Sequence, residues 1–410
     1  MRSCSSRAAL ALALAANSTV AGISMAQETR KPVALEALGT TAVGALPVTG
    51  QDKQDPAVAI QALEWDFQDS TNILVYGQVN KGILNFDDGE SSTSYGLTDN
   101  ANSSTRAGVI STTDLTDEWK LWSNIEIQYA PHSSGNVSQL DKNFADYGFD
   151  NSNIRRIGAA LFSEKYGRFW LGQGSMASDN ITEFDLSGTG VIAYSSVGDT
   201  AAGSLFALAE GGLSDVTVGS AYTNYDGLGR QVRIRYDTPE YRGFRLKASY
   251  GQDLLNNDDA SLYDVAVTYG AEFGAFEVAG GAAYARDSGT NSDILSGSIT
   301  GLHQSTGLNL TFATGGIDGD DADGSYVYSK LGWRTSYFSF GETAFSLDYY
   351  TGEKIRGDGS SSDTWAIAAV QNIDYWKSEL WLTYRDYSYD DKSAEFRDGQ
   401  AVFGGLRIKF

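Results

Sequence analysis

The chain has 410 residues, with 30 Lys and Arg against 52 Asp and Glu and a formal net charge of −22. This acid excess argues against nucleic acid as a partner, because that affinity rests on neutralising phosphates with Lys and Arg. The single cysteine, Cys4, excludes a disulfide scaffold and a cysteine-based metal site.

Residues 1–26 predict an export signal. Arg2 and Arg7 form a basic start, an apolar stretch follows, and Ser24, Met25 and Ala26 make a small-x-small cleavage site before Gln27. Its removal takes two arginines and no acids. Over the remaining 384 positions, 28 basic and 52 acidic residues leave a net charge of −24. Residues 27–70, Ala- and Thr-rich with Pro32, Pro47 and Pro56, lack alternation and predict a flexible periplasmic extension. Within them, residues 58–65 are compatible with a short helix or an extension of the first strand.

From Asn72 onward the text changes to short segments of alternating polarity. Trp119, Leu121, Ile125 and Ile127 oppose Lys120, Asn124, Glu126 and Gln128. The clearest pair is 231–237 and 244–250. In the first, Val232, Ile234 and Tyr236 oppose Arg233, Arg235 and Asp237; in the second, Phe244, Leu246, Ala248 and Tyr250 oppose Arg245, Lys247 and Ser249. A period of two is that of a strand. The turn residues of 238–243 between them predict a hairpin. Trp376, Leu380, Leu382 and Tyr384 repeat the pattern against Lys377, Glu379, Thr383 and Arg385.

Aromatics recur near the ends of the apolar faces, as Phe244 and Tyr250, Tyr263 and Tyr269, or Phe276 and Tyr284, which fits girdles at two membrane interfaces. Tight gaps near 113–117, 164–167, 239–242, 271–274, 303–306, 334–339 and 372–375 alternate with longer ones rich in Asp, Gly and Ser, such as 86–102, 131–153 and 175–229. Two differently exposed rims follow. The expectation is an all-β fold, a transmembrane antiparallel β-barrel of about 16 strands. It must close on itself, because backbone groups facing lipid have to be paired.

At this point several runs, taken together and in order, carry a resemblance: NILVYGQVNKGIL with DDG at 87–89, NSSTRAGV at 102–109, RRIGAALFSEKYGRFWLGQGS at 155–175, RIRYDTPEYRGF at 233–244 and GGLRIKF at 404–410. From residue 72 to 410 the chain resembles the Gram-negative general porin superfamily, most of all the trimeric porins of alphaproteobacteria. The resemblance implies a homotrimer of 16-stranded barrels in the bacterial outer membrane, surrounded by outer-membrane lipid and lipopolysaccharide. Each barrel would have its own pore, narrowed by a third loop folded into the lumen. It also implies passive diffusion of ions and small hydrophilic solutes.

Matching residues 175–190 to the constriction loop makes Asp179, Glu183 and Asp185 the expected acidic side of the pore. Arg106, Arg156, Arg233 and Arg235 are the expected basic wall. Gln173 stands where the broader family often carries an arginine. Phe410, with Ile408, Leu406 and Val402 on its face, resembles the terminal strand that the outer-membrane assembly machinery reads. The acids, the net charge and the absent arginine together lead to an expected weak cation preference.

Other motifs carry less. His132 falls in a long loop and His303 in a tight turn at the opposite rim, so a shared Ser-His site is not expected and an enzyme is not indicated. The run 318–324 lacks the oxygen ligand and Glu of a helix-loop-helix calcium site, leaving at most opportunistic divalent binding there and at Asp87, Asp88 and Glu90; no cofactor is expected. The Gly-x-Gly of 172–174 precedes no helical pattern and is not read as a phosphate loop. The alternative reading is a structural or adhesive outer-membrane barrel whose pore is occluded.

Overall fold

The computed structural model describes residues 64–67, 71–256, 260–320 and 323–410. The expected signal, most of the expected extension, and Asp321 and Ala322 lie outside these residues. In chain order the strands are β1 Glu64–Phe67, β2 Thr71–Asp87, β3 Ser92–Asp99, β4 Arg106–Asp114, β5 Lys120–Gln128, β6 Ile154–Ser163, β7 Gly167–Ser175, β8 Leu205–Ala207, β9 Leu213–Thr217 and β10 Arg230–Asp237. Then come β11 Phe244–Gln252, β12 Leu262–Phe273, β13 Phe276–Asp287, β14 Ser292–His303, β15 Leu308–Asp318, β16 Asp323–Phe338, β17 Gly341–Glu353, β18 Ser361–Ile373, β19 Ser378–Asp390 and β20 Gly399–Lys409.

Sixteen of them, β2, β4 to β7 and β10 to β20, form a closed antiparallel barrel. Each pairs with its chain neighbour, and β20 closes the ring on β2 from Gln78↔Lys409 to Asp87↔Gln400. Gly77 and Phe410 then exchange both backbone hydrogen bonds, at 2.9 and 3.0 Å. Closure thus pairs this edge of β2 with the last strand from Gly77 to Asp87.

The barrel is apolar outside and polar inside, the inverse of a soluble domain. On β11 the side chains alternate between exposed Phe244, Leu246, Ala248 and Tyr250 and inward Arg245, Lys247, Ser249 and Gly251. Ile234, Val265, Leu295, Phe312, Leu331, Leu347, Ile367 and Leu382 continue the exposed apolar band. In lipid these side chains are already in their preferred medium, while inward charges need partners. They find them: Arg385 holds Asp348 through two bonds of 2.9 Å with both side chains fully buried, and Arg407 and Lys409 share Glu379.

Three features differ from the sequence reading. Glu64–Phe67 adds a short strand to β2, pairing Glu64↔Leu74 to Phe67↔Thr71. Part of the expected 86–102 loop is strand, because β3 folds back on Lys81 to Asp87 and extends the wall beyond the ring. Trp376 ends a 3-10 turn rather than beginning a strand, since Lys377 takes the left-handed conformation and β19 starts at Ser378.

Candidate functional site

The long segment after β7, residues 176–229, turns into the lumen. Its departure depends on Gly172, at φ +102°, where a Cβ would lie 2.5 Å from the Ile157 carbonyl. The carbonyls freed where β7 ends need donors, and two expected wall arginines supply them. Arg233 donates to the carbonyls of Gly172 and Ser175 at 2.6 and 3.0 Å; Arg235 donates to that of Met176 at 2.9 Å and pairs with Asp237 at 2.7 Å. Both are buried, and they clamp the loop's first residues rather than line the open space. Asp264 then accepts from the Ser178 amide at 2.7 Å. Gln173 donates to the Arg230 carbonyl at 3.2 Å.

Beyond Ser178 the segment lies against β14 to β19. The Phe184 amide donates to Ser298 Oγ, Thr189 bonds Ser346, and Tyr350 donates to the Thr223 carbonyl. Val191, Ile192, Val197, Phe206, Val218 and Tyr222 of the loop pack with the inward tyrosines 326, 328, 350, 387 and 389 of the wall. Asp185, expected on the acidic side of the pore, instead meets Lys330 at 2.5 Å, and both side chains are buried. It pins the loop, because an ammonium on the wall is the strongest partner within its reach.

Between the free face of this loop and β4, β5, β6 and β10 a cavity of about 530 Å³ remains open. Arg106, Arg155, Arg156 and Arg230 line one side. The register slips between Glu126↔Arg156 and Ile127↔Ile154, so Arg155 is the extra residue of a β-bulge. A bulge places two consecutive side chains on one face where regular alternation allows one. Glu126, fully buried behind them, accepts from Arg155 Nε at 2.5 Å and from the Tyr76 hydroxyl at 2.7 Å. Sequence alternation picks out Arg106 and Arg156 but passes over Arg155, and it passes over Arg230 because that residue sits at the first position of its strand.

Asp179, Glu183, Asp199 and Asp226 line the other side, with Asp146 and Asp150 of the 129–153 loop at the mouth. The structure thus places Asp179 and Glu183 on one cavity with Asp199 and Asp226, which lie 20 and 47 residues after Asp179. Asp226 accepts from the amides of Asn180 and Thr182 at 2.7 and 3.0 Å and from Thr182 Oγ1 at 2.8 Å. Gly227, at φ +65°, lets this end of the loop cross Ser178; a Cβ there would lie 2.2 Å from Ser178 Oγ. Glu183 Oε1 accepts from Asn224 at 3.2 Å, while its buried Oε2 has no hydrogen-bond partner among the described residues. Asp199 accepts from the Tyr194 hydroxyl.

All the hydrogen-bond donors to these three carboxylates are neutral. Burial, reinforced by the negative charge of Asp226, Asp179 and Asp199, raises Glu183 well above the usual carboxylate range. Burial and then Asp179 push Asp226 up to about 7, and burial raises Asp199 to about 6. At the exposed mouth Asp150 is lowered instead, by hydrogen bonds from Ser152.

The remaining candidates lie elsewhere. His132 Nδ1 meets the Phe144 carbonyl in an outer loop, and His303 sits against Phe276 and Thr306 at the other rim. Asp88 caps its own turn through Ser91, Glu90 accepts from the Gly212 amide, and Asp323 pairs with Lys354 at 2.8 Å. Phe410 is half-exposed at the seam.

Comparisons with known proteins agree with this architecture. The family model described as Gram-negative porin matches residues 8–393. Among solved structures, the chain is similar to an anion-selective porin from Comamonas acidovorans, at 18% identity and a TM-score of 0.57 over 83% of this chain and 100% of that one. It is similar to the outer membrane protein OmpT of Vibrio cholerae at 16% and 0.54, covering 85% and 100%. It is also similar to OmpF of Salmonella typhi in complex with daunomycin at 13% and 0.51, again covering 85% and 100%. No curated protein sequence matches. A closed 16-stranded barrel with an apolar outer band, an inward-folded third loop and a family match over most of its length establish what the chain is: it belongs to the Gram-negative porins, outer-membrane channels for passive diffusion.

Proposed function

We propose that the cavity between the third loop and the arginine wall is the constriction of this channel, and that it passes small hydrophilic solutes with a weak preference for cations when its carboxylates are ionised. One observation carries the reading: four guanidiniums, of Arg106, Arg155, Arg156 and Arg230, face six carboxylates across one wet passage. Segregated charge of this kind makes a steep transverse field that favours polar over apolar solutes, and an excess of two carboxylates concentrates cations. Asp185, Arg233 and Arg235 act on selectivity only by holding the loop in place.

In this reading the protein carries out no catalysis and needs no cofactor, and its acidic outer turns bind divalent cations only opportunistically. It works as a homotrimer in lipid and lipopolysaccharide, and Phe410 presents the assembly machinery with the closing strand. Purified protein in planar bilayers is expected to give discrete conductance with closures in units of three. At pH 8.5 and low salt, reversal potentials are expected to favour potassium over chloride, and Asp179→Asn with Glu183→Gln to weaken that preference without preventing assembly. The apolar packing of residues 191–222 inside the lumen favours a second reading, an occluded structural barrel. Protein that inserts and never conducts would establish it.

A further inference from the structure

We infer that Glu183, Asp199 and Asp226 together form a proton-binding device that sets the sign of solute selectivity: ionised, they and Asp179 outweigh the arginine wall and cations pass preferentially; protonated, they leave the wall in excess and small anions are preferred. The inference rests on the constriction proposed above.

The geometry supports it in three ways. First, the three carboxylates accept from amides, hydroxyls and a carboxamide: from Asn180 and Thr182 at Asp226, from Asn224 at Glu183 and from Tyr194 at Asp199. Such donors accept either protonation state at modest cost, unlike the ammonium that fixes Asp185. Second, Glu183 Oε2 is buried without a partner, a position that suits a carboxylic acid better than a carboxylate. Third, the acids share one cavity with Asp179, whose charge opposes a second and third ionisation.

The charged groups facing the cluster come from four elements. Arg106 on β4, Arg155 and Arg156 on β6 and Arg230 on β10 line the same cavity, with Asp146 and Asp150 at the mouth. Glu126 on β5 is taken up by Arg155. Behind the cluster stands the neutral Tyr326 of β16. With Asp226 titrating at about 7 and Asp199 at about 6, proton uptake falls between pH 8 and 5, while the arginines stay charged. Away from the mouth acids the arithmetic changes sign: with Arg155 offset by Glu126, Asp179, Glu183, Asp199 and Asp226 outnumber Arg106, Arg156 and Arg230, and once the cluster is protonated only Asp179 faces them.

His132 also lies near the mouth, between the cavity-lining Pro131 and Ser133, with its Nδ1 against the Phe144 carbonyl. The test is reversal potential in a potassium chloride gradient at about 0.1 M or below, where screening is weak, from pH 9 to 5. In the unmutated protein the potassium-to-chloride permeability ratio is expected to fall about tenfold and to cross unity. In Asp226→Asn with Asp199→Asn the ratio is expected to be low and nearly flat, and in His132→Gln to titrate as in the parent. A parent ratio that does not move overturns the switch even if neither variant folds. So does a titration that survives in the double variant or vanishes in His132→Gln. A protein that never conducts, or that prefers chloride already at pH 9, overturns instead the constriction reading beneath it.

Discussion

The two sides of the lumen do different work. The side made by β4, β5, β6 and β10 is open and charged, with a bulge that brings in a fourth arginine. The side made by β14 to β19 is dry, and its tyrosines and its buried Arg385–Asp348 and Lys330–Asp185 pairs hold the third loop against it. A porin needs a loop stiff enough to keep a passage narrow and a passage wet enough to conduct. Here the two demands are met by different strands, so stability and selectivity should respond to different residues.

The largest expected effect tests the dry side. Arg385→Leu leaves Asp348 buried without its bidentate partner, which costs about 3–5 kcal/mol in comparable pairs. A clear drop in the unfolding temperature of the purified barrel is expected, with the potassium-to-chloride ratio unchanged. If selectivity moves as far as stability does, the division of labour fails.

The next effect tests the wet side. A unit charge roughly 6 Å from a passing ion acts with about 0.7 kcal/mol in water, cut to about 0.4 kcal/mol by screening at about 0.1 M salt; because it acts with opposite sign on potassium and chloride, their permeability ratio moves about threefold. Arg156→Ala with Arg230→Ala is therefore expected to raise the potassium-to-chloride ratio about tenfold while the unfolding temperature stays within a few degrees of the parent. Both numbers come from the same two preparations, by reversal potential and by thermal scan.

The smallest expected effect concerns the segment that precedes β1. Deletion of residues 31–62, which leaves β1 intact, is expected to change neither single-channel conductance nor trimer recovery. A sharp rise in conductance would make the deleted residues a plug and add a third contributor to the two sides.

Much of this was legible in the sequence. The 231–237 and 244–250 segments pair as a hairpin, Val232↔Gln252 to Asp237↔Lys247, with the expected faces outward, because strand alternation against lipid leaves little choice. The site was only half legible. Asp179 and Glu183 lie on the segment matched to a constriction loop, but Asp199 and Asp226 reach the cavity only after the loop has folded back on itself. Arg155 was hidden by the bulge, since the period-two rule assigns it to the lipid face. Arg233 and Arg235 point inward as the rule requires, yet facing the lumen does not decide whether a guanidinium meets solute or a carbonyl.

The short β1 has a consequence for how the ring closes. It pairs with Thr71 to Leu74 of β2, on the edge opposite β4, and β20 occupies that same edge from Gln78 upward. Only Val75, Tyr76 and the Gly77–Phe410 pair separate them. A closing strand that slid by about four residues, to set Phe410 against Ile73, would keep every side chain on its proper face, so polarity alone cannot forbid such a slip. The strand already lying there can: β1 is a mechanical end-stop, fixing the stagger of the finished ring and with it the tilt and bore that stagger dictates.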